Sequence, residues 1–156
     1  MTAHRGIAAL ASAMMICFLV LSTMEPEFVL LHFYQSLIYL IIVLMLFYFH
    51  DRWAYMIGMI TSVVWLLLAV GLDLVGGAMR QVSRIARAER PTNEVEVVAG
   101  IMVILSLLLI AVCGYRWKRQ YSGMGKTLST FMISFVVVAI YYAILIVGFY
   151  KMFPGA

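Results

Sequence analysis

A succession of long apolar runs constrains this chain more than any other feature of its sequence. Each run comes close to the roughly 20 residues that a helix needs to cross the hydrocarbon core of a bilayer. In lipid, a helix satisfies every backbone N–H and C=O within its own segment, and the alternation of period two that marks a membrane barrel is absent. The sequence therefore predicts an all-α, polytopic membrane bundle of five transmembrane helices, at about residues 6–24, 28–49, 53–79, 97–115 and 127–150.

The composition agrees with a lipid environment. Hydrophobic residues make up 65% of the 156 residues, charged residues make up 12%, and the mean hydropathy is +1.05. Soluble domains are about 45–50% apolar and about 25% charged. A water-soluble fold of this size could not bury the excess of apolar surface, so we interpret residues 1–156 as a single membrane domain.

The first apolar run could be a cleaved signal peptide or an uncleaved helix. His4 and Arg5 precede it, but the sequence near its end lacks a small-x-small cleavage pattern. We expect an uncleaved helix, and cleavage would leave four spans. The connections that follow, at 25–27 and 50–52, are so short that the first three helices should pack as antiparallel neighbours.

The connection at 80–96 differs from these short turns. No helix breaker occurs before Pro91, so the third helix is expected to continue beyond the membrane boundary. Arg80, Arg84 and Arg87 would then share one face, at i, i+4 and i+7. This pattern is typical of a basic, amphipathic segment at the membrane interface, and a solvated helical extension would have the same spacing.

Lysine and arginine residues near helix ends indicate the orientation of a membrane protein, because cytoplasmic loops carry an excess of them. With five spans, the two sides hold similar sets: Arg5, Arg52, Arg116, Lys118, Arg119 and Lys126 on one, and Arg80, Arg84, Arg87, Arg90 and Lys151 on the other. Arg5 before the first helix and acidic Glu25 and Glu27 after it favour a cytoplasmic N-terminus. We expect an integral protein of the cell (plasma) membrane in that orientation.

The stretch 120–127, QYSGMGKT, ends like a phosphate-binding loop. A Walker A loop needs GxxxxGK[ST] between a strand and a helix. Gly125, Lys126 and Thr127 supply the end of that motif, but Gln120 stands where the first glycine should be, and a transmembrane helix precedes it. We interpret the stretch as a glycine turn and expect no nucleotide. The net charge of +4 lies at the ends of apolar runs, so we also expect no nucleic-acid partner.

The cysteines and histidines predict no metal site and no cofactor. Cys17 and Cys113 lie singly in different apolar runs, where free cysteines behave as small hydrophobic residues. His32 is the only histidine within a predicted span. The chain therefore cannot supply bis-histidine haem ligation by itself.

Three polar residues inside the predicted spans form the candidate site: His32, Gln35 and Asp73. Such residues normally face a partner or a water-filled cavity, because an ionisable group is unfavourable in lipid. His32 lies near the start of the second helix and Asp73 near the end of the antiparallel third, so both should lie at similar depth. Gln35, at i+3, shares the face of His32. We expect His32 and Asp73 to contact each other, as a proton-relay, quinone or cation site or as a pair that fixes helix packing.

These features suggest three functions. The first is a non-catalytic subunit or assembly partner of a larger membrane complex, since the sequence contains neither a soluble domain nor a catalytic set. The second is a small oligomeric carrier or channel that uses the His32 and Asp73 pair. The third, an enzyme that acts on a lipid or a quinone, would need the same pair. The expected partners are the lipid bilayer and other membrane subunits or further copies of the chain.

Overall fold

A computed structural model describes residues 2–48, 51–121 and 127–149. The described residues form α1 (Thr2–Met24), a 3₁₀ turn (Pro26–Phe28), α2 (Val29–Tyr48), α3 (Asp51–Gly71), α4 (Leu74–Ala86), α5 (Glu94–Tyr121) and α6 (Thr127–Phe149). All of these helices except α4 and the turn are long and apolar enough to span a membrane. The predicted all-α bundle with five spans is confirmed.

The third span is shorter than the sequence predicts. Helix α3 ends at Gly71 rather than at residue 79, and α4 begins as a separate helix at Leu74. Between them, Asp73 adopts a left-handed backbone conformation with a φ of 54°. Aspartate tolerates this conformation better than most residues, because its short polar side chain can bond locally. The prediction of a continuous helix as far as Pro91 is wrong, because this break does not depend on proline.

Helix α5 is longer than predicted. It runs from Glu94 to Tyr121, and its 28 residues correspond to about 42 Å. The hydrocarbon core is about 30 Å thick, so α5 extends beyond it. Asn93 caps the start of this helix: its Oδ1 accepts hydrogen bonds from the backbone N–H groups of Val95 and Glu96, at 3.1 and 3.4 Å.

The core lies where α1, α2, α3 and α5 meet, and α6 packs on the outside, mainly against α3. One face of α1 is fully buried along three turns, at Ile7, Ala11, Met14 and Phe18. Helices α3 and α5 approach closely at Gly58, where an added Cβ would lie 3.3 Å from the sulfur of a buried cysteine. The packing leaves free space at the end of the bundle where α1 ends and α2 begins.

Candidate functional site

A cavity of about 290 Å³ lies between α1, α2, α3 and α5. Three polar side chains line it: Glu25, His32 and Gln35. The rest of the wall is apolar and consists of Phe18, Leu21, Phe28, Leu31, Trp65, Leu68, Ala69, Leu72, Leu74, Val95, Ala99 and Met102. A largely apolar cavity with a few convergent polar groups is the usual form of a small-molecule site. We refer to it as the Glu25 cavity.

The tight turn between α1 and α2 places Glu25 at this cavity. The Glu25 N–H donates to the Leu21 carbonyl at 2.9 Å, and the Phe28 N–H donates to the Glu25 carbonyl at 2.9 Å. Pro26 stands in the first turn of the 3₁₀ segment, where its missing N–H is not needed. The chain therefore reverses within three residues, and the Glu25 side chain comes to lie against the first turn of α2.

Glu25 and His32 form a hydrogen-bonded pair, with 3.0 Å between Glu25 Oε2 and His32 Nε2. His32 is 8% exposed, whereas the Glu25 side chain is 33% exposed. The second ring nitrogen, Nδ1, is buried and has no hydrogen-bond partner within the described part of the chain. A protonated ring would leave an Nδ1–H donor unsatisfied there. In the tautomer with its one proton on Nε2, the ring donates to Glu25 Oε2, and Nδ1 is an acceptor without a partner in the described residues.

Gln35 lies one helical turn deeper than His32, on the same wall of the cavity. Its side chain is half-buried, and within the described ranges no hydrogen bond involves its amide. An amide inside a membrane span is unfavourable unless it has a hydrogen-bonding partner. Gln35 therefore presents an unpaired donor and an unpaired acceptor at the cavity wall.

Asp73 lies elsewhere. It stands at the break between α3 and α4 and outside the cavity wall, with a side chain that is 74% exposed. Its carboxylate bonds Arg80 Nη2 at 3.2 Å, and no hydrogen bond or ion pair joins it to His32 in the described residues. The expected contact between His32 and Asp73 does not form, because α3 ends at Gly71 and so does not carry Asp73 within the span.

Glu25, which the sequence places in a connecting turn, is the partner of His32 instead. Glu25 lies between two apolar runs and not within one, so hydropathy gave no reason to include it in the candidate site. The available signal was its spacing from His32, seven residues across a turn that contains Pro26. A turn that brings α1 back along α2 places such residues near each other in depth.

The predicted basic face lies on α4, and that helix presents three different faces. Arg80 and Arg84 are exposed on one of them, and Arg87 is exposed at the cap that follows the end of the helix. A second face is apolar and also exposed, at Met79 and Val82. The third packs against α5 and is formed by Gly77, Ala78 and Gln81. An exposed amphipathic helix next to a membrane span is typical of a segment at the lipid interface.

The packed face of α4 carries a second group of polar residues, which we call the Gln81 cluster: Gln81, Thr92 and Glu96. Gln81 is 4% exposed, and its Nε2 donates to Glu96 Oε2 at 2.6 Å and to Thr92 Oγ1 at 3.2 Å. Its Oε1 accepts from the Thr92 N–H at 3.1 Å. Gly77 permits the close approach, since an added Cβ would lie 2.8 Å from Glu96 Cδ. This cluster fastens α4 and the following loop to α5.

Among the residues that the structure describes, no group of three or more His, Cys, Asp or Glu side chains could hold a metal ion. Of the QYSGMGKT stretch, residues 122–126, which include Gly125 and Lys126, lie outside the described ranges. No family model, no curated protein and no solved structure matches this chain. A function for this chain is therefore inferred from the geometry of the site.

Proposed function

We propose that this protein is a non-catalytic membrane component that binds a small amphipathic molecule in the Glu25 cavity. The observation that carries the proposal is the convergence of Glu25, His32 and Gln35 on an otherwise apolar cavity at one end of the bundle. The polar groups suit the head of such a molecule. The apolar wall, which extends to Trp65 and Met102, suits its body.

The depth of the cavity supports an amphipathic ligand. Trp65 lies six residues before the end of α3, and Met102 lies eight residues after the start of α5. At 1.5 Å per residue, these positions are about 9 and 12 Å from the helix ends. The cavity therefore reaches from the polar turn at Glu25 into the apolar half of the bundle, as an elongated ligand with one polar end requires.

A matched pair of leucine variants tests this proposal. Leu68 lines the cavity, whereas the adjacent Leu67 is exposed on the outside of α3. Leu68→Trp should fill the cavity and exclude its ligand, and Leu67→Trp should not. Each protein is extracted gently from native membranes, and the small molecules that copurify are measured by mass spectrometry. We expect a stoichiometric amphiphile with the native protein and Leu67→Trp and its loss from Leu68→Trp. Equal retention by the two variants, or no such molecule, would contradict the proposal.

A second proposal is that the protein is a subunit of a larger membrane complex, and the position of α6 supports it. Helix α6 buries one stripe of side chains, and beside that stripe Tyr141 stacks on Tyr34 of α2, with 4.5 Å between ring centroids. The buried stripe consists of Thr130, Ser134, Val138, Tyr142 and Leu145. The other faces of α6 expose large residues, including Phe131 and Phe135, which stack with 6.2 Å between ring centroids. Such a surface suits either lipid or the helix of a partner. Stoichiometric proteins in the same extraction would support a complex, and a clean homo-oligomer would count against it.

The proposal also includes a plasma-membrane location with a cytoplasmic N-terminus, which Arg5, Glu25 and Glu27 support through the distribution of charge. The cavity and α4 would then lie on the outer side. Ser83 is exposed on α4 and offers a test. A Ser83→Cys variant should react with an impermeant thiol reagent on intact cells. Labelling only after lysis would reverse the orientation.

The carrier alternative depended on His32 and Asp73 together. Because Asp73 bonds Arg80 outside the cavity, that pair no longer supports a transport path. The enzyme alternative depended on the same pair and loses the same support. Binding of a small molecule in the Glu25 cavity requires neither a transport path nor a catalytic pair.

A further inference from the structure

We propose that the ligand of the Glu25 cavity is an organic cation with an apolar body, such as a quaternary ammonium or a protonated amine. This inference rests on the proposed function, that the cavity binds a small amphipathic molecule, and specifies the chemistry of that molecule. Its premise is that Glu25 is the one charged side chain among the described residues that line the cavity. The charge of the site is therefore the charge of this carboxylate.

The hydrogen bond from His32 does not cancel that charge. A doubly protonated ring would bury an Nδ1–H donor that has no acceptor in the described residues, whereas a ring with its one proton on Nε2 donates to the carboxylate without adding a positive charge. The other charged residue of the same turn, Glu27, is also acidic. Arg80, on α4, is held by Asp73 at 3.2 Å and lies 3.9 Å from Glu96. The site is therefore negative and attracts a cation.

The aromatic part of the wall favours an organic cation. The ring centroids of Phe18 and Phe28 lie 6.4 and 6.5 Å from that of His32, and Trp65 packs edge-on against Phe18 at 6.4 Å. The negative faces of aromatic rings attract cations, and quaternary ammonium groups are recognised in this way. The aliphatic remainder of the wall can hold the apolar body of the ligand.

The same wall disfavours an inorganic cation. Calcium takes about six to eight oxygen ligands, and magnesium requires near-ideal octahedral coordination. The cavity offers one carboxylate and the amide of Gln35. That amide oxygen can accept a hydrogen bond from a protonated amine, whereas a quaternary ammonium needs only the carboxylate and the rings.

Binding of benzyltrimethylammonium tests the inference. The full chain is kept in micelles of dodecyl maltoside, a non-ionic detergent without an ammonium group that could compete, and binding of the tritiated cation is measured by equilibrium dialysis. Glu25→Gln removes the charge and retains the shape of the side chain. Glu27→Gln is the matched control, because this carboxylate is exposed in the same turn and does not line the cavity. We expect Glu25→Gln to weaken binding about tenfold or more and Glu27→Gln to change it by less than about twofold.

The carbon isostere neopentylbenzene separates the charge from the shape of the ligand. It should displace the labelled cation much less effectively than unlabelled benzyltrimethylammonium does. The inference of a cationic ligand would be overturned if neopentylbenzene displaced the labelled cation at the same concentrations as unlabelled benzyltrimethylammonium. It would also be overturned if Glu25→Gln and Glu27→Gln bound the cation with the same affinity. Either result would leave the cavity as a binding site. If neither compound binds, the inference of a cationic ligand is overturned. The proposed function is then decided by the leucine variants, and it survives if Leu67→Trp retains a native amphiphile and Leu68→Trp does not.

Phe28→Leu provides a second variant in case Glu25→Gln fails to fold. Phe28 is half-buried in the turn, and leucine keeps an apolar side chain there without a ring face. We expect this variant to lower the preference for benzyltrimethylammonium over neopentylbenzene by about threefold or more. Its affinity for neopentylbenzene should not change. An unchanged preference would contradict the role assigned to the aromatic wall.

Discussion

The Glu25 cavity and the Gln81 cluster lie near the same end of the bundle, and both contain a carboxylate and a side-chain amide. In the Gln81 cluster the amide uses its nitrogen and its oxygen, bonding Glu96 and Thr92 at 2.6 to 3.2 Å. In the Glu25 cavity the Gln35 amide has no partner within the described residues, and His32 Nδ1 has none either. The polar groups of the Glu25 cavity face free space, whereas Gly77 lets α4 pack closely against the Gln81 cluster.

This difference separates a structural polar group from a binding one. A buried polar residue that is fully bonded holds its helices in place, and its removal leaves other groups unsatisfied. A polar residue that lines a cavity without a partner contributes little to the fold. It remains available to a ligand.

The largest effect is expected from Gln81→Leu, which would break the satisfied cluster. The Glu96 carboxylate would lose a donor and Thr92 would lose both of its bonds to Gln81, so the free energy of unfolding should fall by about 1–3 kcal/mol. The measurement is an SDS titration of the purified protein followed by circular dichroism. Ser83→Ala, on the exposed side of the same helix, is the control and should have a much smaller effect.

The same chemical change at Gln35 sharpens the comparison. Gln35→Leu removes an amide that bonds to nothing in the described structure, so the free energy of unfolding should stay the same or rise by up to about 1 kcal/mol. The same SDS titration measures it on the ligand-free protein. A loss as large as that of Gln81→Leu would mean that Gln35 has a structural partner.

The smallest effect is expected from Asp73→Asn. The ion pair with Arg80 is exposed on both sides, with side chains that are 74% and 60% exposed, and such pairs contribute little. Asparagine also tolerates the left-handed backbone at this position. The free energy of unfolding should change by about 0.5 kcal/mol or less, and retention of the copurified ligand should not change. Loss of that ligand would return Asp73 to the binding site.

The sequence predicted the fold well and the candidate site only in part. The five spans follow from apolar length, and the cap at Asn93 follows from local chemistry, so both could be derived without tertiary contacts. His32 and Gln35 could be placed on one face by helical spacing, and the structure puts both on the cavity wall. Asp73 could not be placed correctly, because a break without proline at residues 72 and 73 leaves almost no trace in hydropathy.

The sequence by itself determined that this chain is a bundle of apolar helices, because a bilayer allows few alternatives to a chain of this composition. Only the tertiary structure decided which carboxylate meets His32. That choice depends on the reversal of the chain at Pro26 and on the end of α3 at Gly71, which bring Glu25 in and leave Asp73 outside. Contacts of this kind depend on angles at a few turn residues, and the periodicity of the helices does not specify those angles.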